Sequence, residues 1–395
     1  MNNKEHFHHI PFLHKSGTHK YFHLFKPQKA KRILPAIALA GILFCMTSCQ
    51  FDIPGNQLFP APSPAAANTA SSGSMEVHVL DVGQGLSVWI RSGDSCLLYD
   101  GGNEAASSFV VSHLQRHGVE QLDYVVASHY DSDHLSGIVG ALNAFPTETL
   151  LAPGYEADTP VYQSFLTAAE EKQLSPALPV SGAEYALGDG SFEILAPLGT
   201  EYEDENDYSI VLKVSIGGQS LLLTGDASRA SEQEMLSLGN VLDSDVLVIG
   251  HHGSSGSTQE EFLDAVSPDY TIVSCGLGND YGHPAQRVVT LLSDYRLPLY
   301  RTDIQGTIDF VMTPEEILFP ELPSGNYTAG RDMSLDGSDF HAEDYTYILN
   351  TRTHKFHLPD CGSVSEMSVR NRRGSDKSRE DLIREGYDPC GTCRP

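Results

Sequence analysis

The stretch SHYDSDH, residues 128–134, follows the apolar run LDYVVA and packs two histidines and two aspartates into seven residues. LDYVVAS reads as a strand. The motif is therefore the loop at that strand's carboxyl end, where open α/β architectures place their chemistry. His129 and Asp131 are two residues apart, as are Asp131 and Asp133, and His134 adjoins. In a tight loop this alternation aims His129 and Asp131 at one cation and Asp133 and His134 at another. HLSGIVGALNAF, which follows, has helical spacing. Taken alone, such a loop is most often simply solvated.

Other segment ends repeat the pattern. LLYDGG (97–102) closes on Asp100, LLLTGDA (221–227) on Asp226, and VIGHHGS (248–254) on His251 and His252. YGHP (281–284) sets His283 before a helix whose first turn suits Pro284. Singly, an Asp at a strand end is a turn former. Turns alone do not explain so many in register. EVHVLDV (76–82), LSVWIR (86–91) and SCLLYD (95–100) read as strands, and 105–117 as a helix. YSIVLKVSI (208–216) and QSLLLTGD (219–226) predict a hairpin about Gly217-Gly218. DVLVIG (245–250) and YTIVSCG (270–276) are strands separated by a helix, and YRTDIQGTIDFVM (300–312) reads as a closing hairpin. Early hairpins followed by strand–helix alternation imply two sheets covered by helices.

The chain has 395 residues, 40% of them hydrophobic, and a formal charge of −27. A real core is expected. So acidic a surface repels polyanions at long range, which excludes tight non-specific nucleic-acid binding through bulk charge. Residues 1–32 carry seven Lys/Arg against one Glu, and ILPAIALAGILFCMTSC (33–49) follows. This reads as a secretory leader, 1–49, with an apolar run short for a membrane-spanning helix. Met46-Thr47-Ser48-Cys49 resembles a lipoprotein processing site with Cys49 lipidated, and an uncleaved signal anchor is the alternative. Either way an extracytoplasmic chain at the membrane is expected. Residues 50–74, rich in Pro, Ala and Ser, read as a tether. The globular domain is expected over 75–315, a linker over 316–344, and a small separate module over 345–395.

The motifs LDVGQG (80–85), SHYDSDHLSG (128–137), NDYS (206–209), LLTGD (222–226), HHGS (251–254) and YGHP (281–284) together resemble the metallo-β-lactamase superfamily, whose general signature is His-x-His-x-Asp-His. Within it they resemble the extracytoplasmic nuclease-like domain of the ComEC DNA-uptake family. The resemblance implies an αββα four-layer sandwich. It implies that His129 and Asp131 hold one metal and Asp133 and His134 a second. It makes Asp226 the bridge, His283 the final His ligand and Asp100 the group orienting the loop. His251 or His252 would be the proton donor. Asn206 and Ser209 lie where zinc hydrolases of the superfamily supply a further His, and could instead meet substrate. With Asp131 in place of a His and none at that later position, the site is oxygen-rich, which favours Mn²⁺ or Mg²⁺ over Zn²⁺.

The C-terminal segment has its own punctuation. His357 and Cys361 precede Cys390 and Cys393 by a helix-like stretch, a donor set suited to one structural Zn²⁺. A disulfide from Cys390 to Cys393 or Cys361 is the alternative, and His354 a competing ligand. A module this small buries little core, so a metal staple makes physical sense. KFHLPDC, Asn371-Arg372 and GYDPCGTC resemble the metal-binding modules related to the N-terminal domain of the Ada repair protein. Arg370, Arg372 and Arg373 are its densest basic cluster and could touch phosphates.

The expected function is a metal-dependent phosphodiesterase acting on DNA, with two divalent ions in the main site. A hydrolase of small esters, amides or lactones is the alternative enzyme. A non-catalytic DNA-binding lipoprotein is the alternative of another class.

Overall fold

Two sheets of seven strands form the body of the protein. The computed structural model describes residues 73–333 and 340–395. The leader 1–49, Cys49 and all but the last two residues of the tether lie outside the described residues. The first sheet runs β14-β13-β1-β2-β3-β4-β5. Its strands are β1 (Met75–Val79), β2 (Val88–Ser92), β3 (Ser95–Tyr99), β4 (Leu122–Val126), β5 (Thr147–Leu151), β13 (Ile308–Met312) and β14 (Ile317–Leu318). The second runs β12-β11-β10-β9-β8-β7-β6. It comprises β6 (Glu184–Leu187), β7 (Gly190–Ala196), β8 (Val211–Ile216), β9 (Gln219–Leu223), β10 (Val246–Val248), β11 (Tyr270–Val273) and β12 (Leu299–Arg301).

Side-chain alternation stacks these sheets face to face. Val77, Val79, Val88, Ile90, Leu221, Leu223, Val246 and Val248 fill the space between them. Trp89, Leu98, Val125 and Leu150 point the other way, under α1 (Ser107–Arg116), α2 (Ser132–Ala144) and α3 (Pro160–Glu171). Leu222, Leu247 and Val273 do the same on the second sheet, under α4 (Arg229–Met235), α5 (Glu260–Val266) and α6 (Gln286–Asp294). Both faces are covered, so the strands read as unbroken apolar runs such as LLL at 221–223. The result is the expected αββα sandwich. Burying one such Leu contributes about 2 kcal/mol.

The hairpin about Gly217-Gly218 is present as β8 and β9. The hairpin expected at 300–312 is not one. β12 runs parallel to β11 in the second sheet, whereas β13 pairs with β1 in the first. The chain crosses between sheets through α7 (Thr302–Gln305). Arg301, fully buried, is held there by a two-pronged pair with Asp303 at 2.9 and 2.7 Å.

The segment expected to be a linker also has structure. Residues 317–318 form the edge strand β14, Tyr327 donates to the Leu297 carbonyl at 2.6 Å, and Ala329 is fully buried. Beyond it, a four-stranded sheet runs β17-β15-β16-β18: β15 (Tyr347–Asn350), β16 (Lys355–His357), β17 (Arg372–Ser375) and β18 (Asp388–Pro389). Helices α8 (Gly362–Ser365) and α9 (Arg379–Arg384) accompany it. This C-terminal sheet is docked on the sandwich rather than separate from it. Arg373 pairs with Asp81 at 2.7 Å, Arg116 with Asp388 at 2.6 Å, and the His354 ring stacks on Phe109 at 4.0 Å. Gly386, at φ +99°, passes so close to Phe109 that an added Cβ would sit 2.7 Å from its ring. Among the described residues no helix is long and apolar enough to cross a membrane.

Candidate metal centre

The carboxyl ends of β3, β4, β9 and β10 meet at one rim of the sandwich, and each delivers polar side chains there. Asp100 follows β3 with φ at +59° and is fully buried. Its carboxylate accepts from the Ser128 backbone N–H and hydroxyl, both at 2.7 Å, and from His134 Nδ1 at 2.8 Å. This side chain therefore fixes the SHYDSDH loop from beneath. The loop then starts α2, with Asp131 as the residue before its first turn and Asp133 within it. Close approach makes the start of α2 possible. A Cβ on Gly137 would lie 1.8 Å from the Gly101 carbonyl oxygen.

His134 and His252 define the centre. His134 Nδ1 faces the Asp100 carboxylate and His252 Nδ1 faces the Ser274 carbonyl at 3.0 Å. Oxygens of these kinds only accept, so both Nδ1 atoms carry the hydrogen. The two Nε2 lone pairs then face each other 3.1 Å apart. Such an arrangement needs a proton or a cation between the nitrogens. With metal–nitrogen bonds of about 2.1 Å, neighbouring ligands of one ion sit roughly 3.0–3.4 Å apart. The remaining donors surround this pair. His134 Nε2 lies 3.2 Å from Asp226 Oδ1, and His252 Nε2 lies 3.4 Å from Asp133 Oδ2 and 3.5 Å from Asp226 Oδ2. His129 Nε2 is buried without a hydrogen-bond partner, 3.6 Å from Asp131 Oδ2. Two groups of converging donors result, His129–His134–Asp226 and Asp133–His134–His252. Orphaned buried donors and opposed lone pairs fit divalent cations.

The electrostatics agree. Burial alone would raise the Asp226 carboxyl, but His134 and His252 outweigh it and hold it well below the usual range. Burial would likewise depress His134 and His252, and Asp226 outweighs it, raising both. Asp133 is lowered by His252 and His134 against its burial. A cation entering here displaces protons from the imidazoles and takes over their pairing with carboxylates.

The grouping differs from the expected one. His252, read as one of two proton-donor candidates, stands among the converging donors. Asp131 and His283 fall outside both groups. Asp131 stands at the N-cap position of α2 without capping it; its carboxylate is half exposed, 3.6 Å from His129 Nε2. The His283 ring centroid is 5.8 Å from His251 and 6.4 Å from His252, and burial first, then these two rings, lowers it to about 4. His251, on left-handed backbone at φ +49°, is partly exposed with Nε2 3.5 Å from Asp226 Oδ2. Ser209 is buried, and its hydroxyl accepts from the Asp226 N–H at 3.2 Å. It supports the bridge position from behind. Asn206 caps nothing in the centre; its carbonyl accepts from Ser209 N at 3.0 Å. Sequence reading missed Asp207, whose carboxylate accepts from Ser228 and Ser231 N–H, both at 3.2 Å, bracing the chain after TGD. Its neighbour Asn206 drew attention only through the motif.

In the C-terminal sheet His357, Cys361, Cys390 and Cys393 bring one donor atom each within 4.8 Å of the others. Backbone N–H groups of Leu358 and Thr392 donate to Cys393 and Cys390 Sγ, both at 3.4 Å, contacts that would favour a metal-bound thiolate. His354 lies apart, against Phe109. Of the three arginines, Arg373 is consumed by Asp81 and Arg372 covers the Phe340 ring at 4.7 Å. Arg370 is exposed and reaches Asp280 at 3.4 Å.

A cavity of about 1220 Å³ opens beside Asp131 and Asp133. Asn103, Ala105 and Tyr281 line both it and a second cavity of about 290 Å³ that reaches Arg352 and Arg370. The two adjoin at these residues, one beside Asp131 and Asp133 and the other against the C-terminal sheet.

Comparison with known proteins agrees with this geometry. A family model described as the metallo-beta-lactamase superfamily matches residues 80–277. Competence protein ComA of Neisseria gonorrhoeae is 36% identical over 236 residues, 59% of this chain and 32% of that protein. ComE operon protein 3 of Bacillus subtilis is 32% identical over 253 residues, 60% of this chain and 33% of that protein. Recombination protein 2 of Haemophilus influenzae is 33% identical over 244 residues, 60% of this chain and 29% of that protein. The chain thus spans about a third of the length of these relatives. The fold and donor set are those of a metal-dependent hydrolase. The chain belongs to the metallo-beta-lactamase superfamily, and its sandwich is a ComEC-like domain of that family.

Proposed function

We propose that the protein is a metal-dependent phosphodiesterase that cuts DNA outside the cytoplasm. The observation that carries this reading is the groove. It is open and of mixed polar and apolar lining, and it runs from Asp131 and Asp133 past Tyr281 toward Arg352 and Arg370. A small ester or lactone needs a closed pocket; a strand of phosphodiesters needs a track. Tyr281 is 69% exposed at the middle of that track; one face of its ring lies along His283 at 5.6 Å, and the other is open to stack on a base. The competence-related names of the relatives point the same way.

When bound, two divalent ions supply an activated water and offset the charge that develops on the phosphoryl oxygens. Mn²⁺ or Mg²⁺ is favoured by the carboxylates Asp133 and Asp226, with Asp131 Oδ2 nearby at 3.6 Å from His129 Nε2, although the histidines also suit Zn²⁺. Asp100 keeps the His134 hydrogen on Nδ1 and its Nε2 free for a ligand role. Ser274 does the same for His252. With His252 so engaged, His251 becomes the proton donor to the leaving oxygen; its support is its partial exposure beside Asp226. Arg370 attracts phosphate on a chain that otherwise repels it. In the C-terminal sheet His357, Cys361, Cys390 and Cys393 hold one structural Zn²⁺. The leader and Cys49 anchor the whole at the membrane.

Plasmid and single-stranded DNA, incubated with Mn²⁺, Mg²⁺ or Zn²⁺, test the reading. Cleavage that is lost in Asp133→Ala is the expected result. Turnover of a lactone or ester with intact DNA would replace it by the small-substrate hydrolase. DNA binding with no turnover of either substrate would replace it by the non-catalytic reading. Incorporation of labelled fatty acid, lost in Cys49→Ala, tests the anchor.

A further inference from the structure

Three histidines meet on the outer face of the first sheet, away from the rim that carries the metal centre. His78 projects from β1; His113 and His117 come from α1 and the residue that ends it. Their ring centroids lie 5.3, 5.0 and 4.2 Å apart, and each offers a ring nitrogen within 4.8 Å of the others. His113 and His117, four apart on a helix, lie on one face. His78 reaches that face because β1 alternates, with Val77 and Val79 turned inward.

Each ring has one nitrogen already committed. His78 Nδ1 faces Asp309 Oδ1 at 2.7 Å, His113 Nδ1 the Glu385 carbonyl at 3.2 Å, and His117 Nδ1 the His113 carbonyl at 2.9 Å. The carbonyls only accept, and Asp309 is held below its usual range against its burial by the His78 hydrogen bond. The hydrogens therefore sit on Nδ1 and the lone pairs on Nε2. His78 Nε2 and His113 Nε2 are buried with no partner. Burial, aided by the other two imidazoles, keeps His113 far below its ordinary titration range, so its ring is neutral. Packing alone would explain three stacked rings. It does not explain three fixed tautomers or two buried nitrogens with nothing to bind. An oxygen acceptor on Nδ1 and a free Nε2 is how proteins hold a histidine toward a metal.

We propose that His78, His113 and His117 form a further metal site, taking one borderline divalent cation of the zinc and copper class through their Nε2 atoms. Tetrahedral ligands with bonds of about 2.0–2.1 Å stand roughly 3.4 Å apart, so small ring rotations close the site. The fourth position opens toward solvent beside His117, the partly exposed member. Glu385 follows α9 of the C-terminal sheet, so the cation also fastens that sheet to α1 through the ring it orients. The site differs from the main centre in having an all-nitrogen donor set, which takes Cu²⁺, Ni²⁺ or Zn²⁺ in preference to Mg²⁺.

A built-in reporter tests this. Trp89 is the only tryptophan in the chain, and its ring stacks on His78 at 4.5 Å with 22° between planes. Cu²⁺ bound at the three histidines would quench its emission by contact. Full-length protein titrated with Cu²⁺ should show saturable quenching that a strong chelator reverses. His117→Gln should raise the half-quenching concentration by at least about tenfold, and Asp309→Asn, which frees the His78 ring, by about 10–100-fold. Asp133→Ala, in the main centre, should leave the quenching as it was. Equal quenching in wild type and His117→Gln would overturn the proposal. So would absent quenching while copper binds elsewhere on the protein, and so would quenching lost in Asp133→Ala alone. Folding of each variant is checked by circular dichroism, and Asp309→Asn serves if His117→Gln does not fold.

Discussion

Arg373 reaches from the C-terminal sheet to Asp81, in the loop after β1, and sets Nη1 2.7 Å from Oδ2 with both side chains nearly out of solvent. Burial disfavours the guanidinium, yet Asp81 outweighs it and keeps the charge firmly in place. Removing one partner leaves the other charged and buried. Arg373→Ala should therefore destabilise the protein by about 3 kcal/mol, read as a lower urea midpoint. Arg373→Met with Asp81→Leu should recover much of that loss, because an apolar pair of similar volume leaves no buried charge.

Asp100 touches no substrate, but it accepts three hydrogen bonds that set the SHYDSDH loop and the His134 tautomer. Asp100→Asn can present an amide hydrogen to His134 and turn that ring. Metal affinity at the main centre should fall by about 10–100-fold, measured by competition with a chromophoric chelator. Asp226→Asn should abolish cleavage more completely, by at least about a hundredfold, since that carboxylate belongs to the ligand set itself.

The C-terminal sheet rests on two small cores, one around Ile348, Val364 and Met367 and the other around Leu349, Phe356 and Leu382. Neither is large enough to hold a fold unaided. Cys361→Ser, or a strong chelator, should expose 345–395 to limited proteolysis while the sandwich stays resistant. Equal resistance with and without chelator would show that no metal holds this sheet together.

His354 is stacked on Phe109, and burial lowers its titration to about 4. The unfolded ring titrates near 6.5. Between those values the unfolded chain binds more protons than the folded one, so stability rises with pH. The contribution is complete above about 6.5 and is lost as pH falls through about 4, a span worth up to roughly 3 kcal/mol. His354→Phe should flatten this part of the urea-midpoint profile, leaving the slope contributed by the other buried histidines, His113 and His283 among them.

The sandwich was legible because strands covered on both faces are apolar without interruption, and because polar residues stopped those runs at one rim. What the linear pattern could not decide was partition. Asp131 and His252 are both spaced as ligands; only the folded backbone shows that one stands half exposed at the start of a helix and the other turns inward against Ser274. The crossover at Arg301–Gln305 looked like a hairpin because the two strands are close in sequence, and sheet membership is not a local property. The His78, His113 and His117 cluster had a signal in the four-residue spacing on a readable helix. Its third member is 35 residues away, on a strand whose outward face was read as covered but not as chemical.

Three of the residues at the metal rim, Asp100, His251 and His252, hold left-handed backbone at φ of +59°, +49° and +55°. Side chains other than glycine, asparagine and aspartate resist that conformation by about 1 kcal/mol each, so the cost falls on His251 and His252. The rim is thus maintained against the local preference of its own chain. A descendant released from the need for its chemistry would gain stability by exchanging these residues for glycine or asparagine. Such exchanges, with the sandwich intact, would be the earliest trace of a decaying enzyme in this lineage.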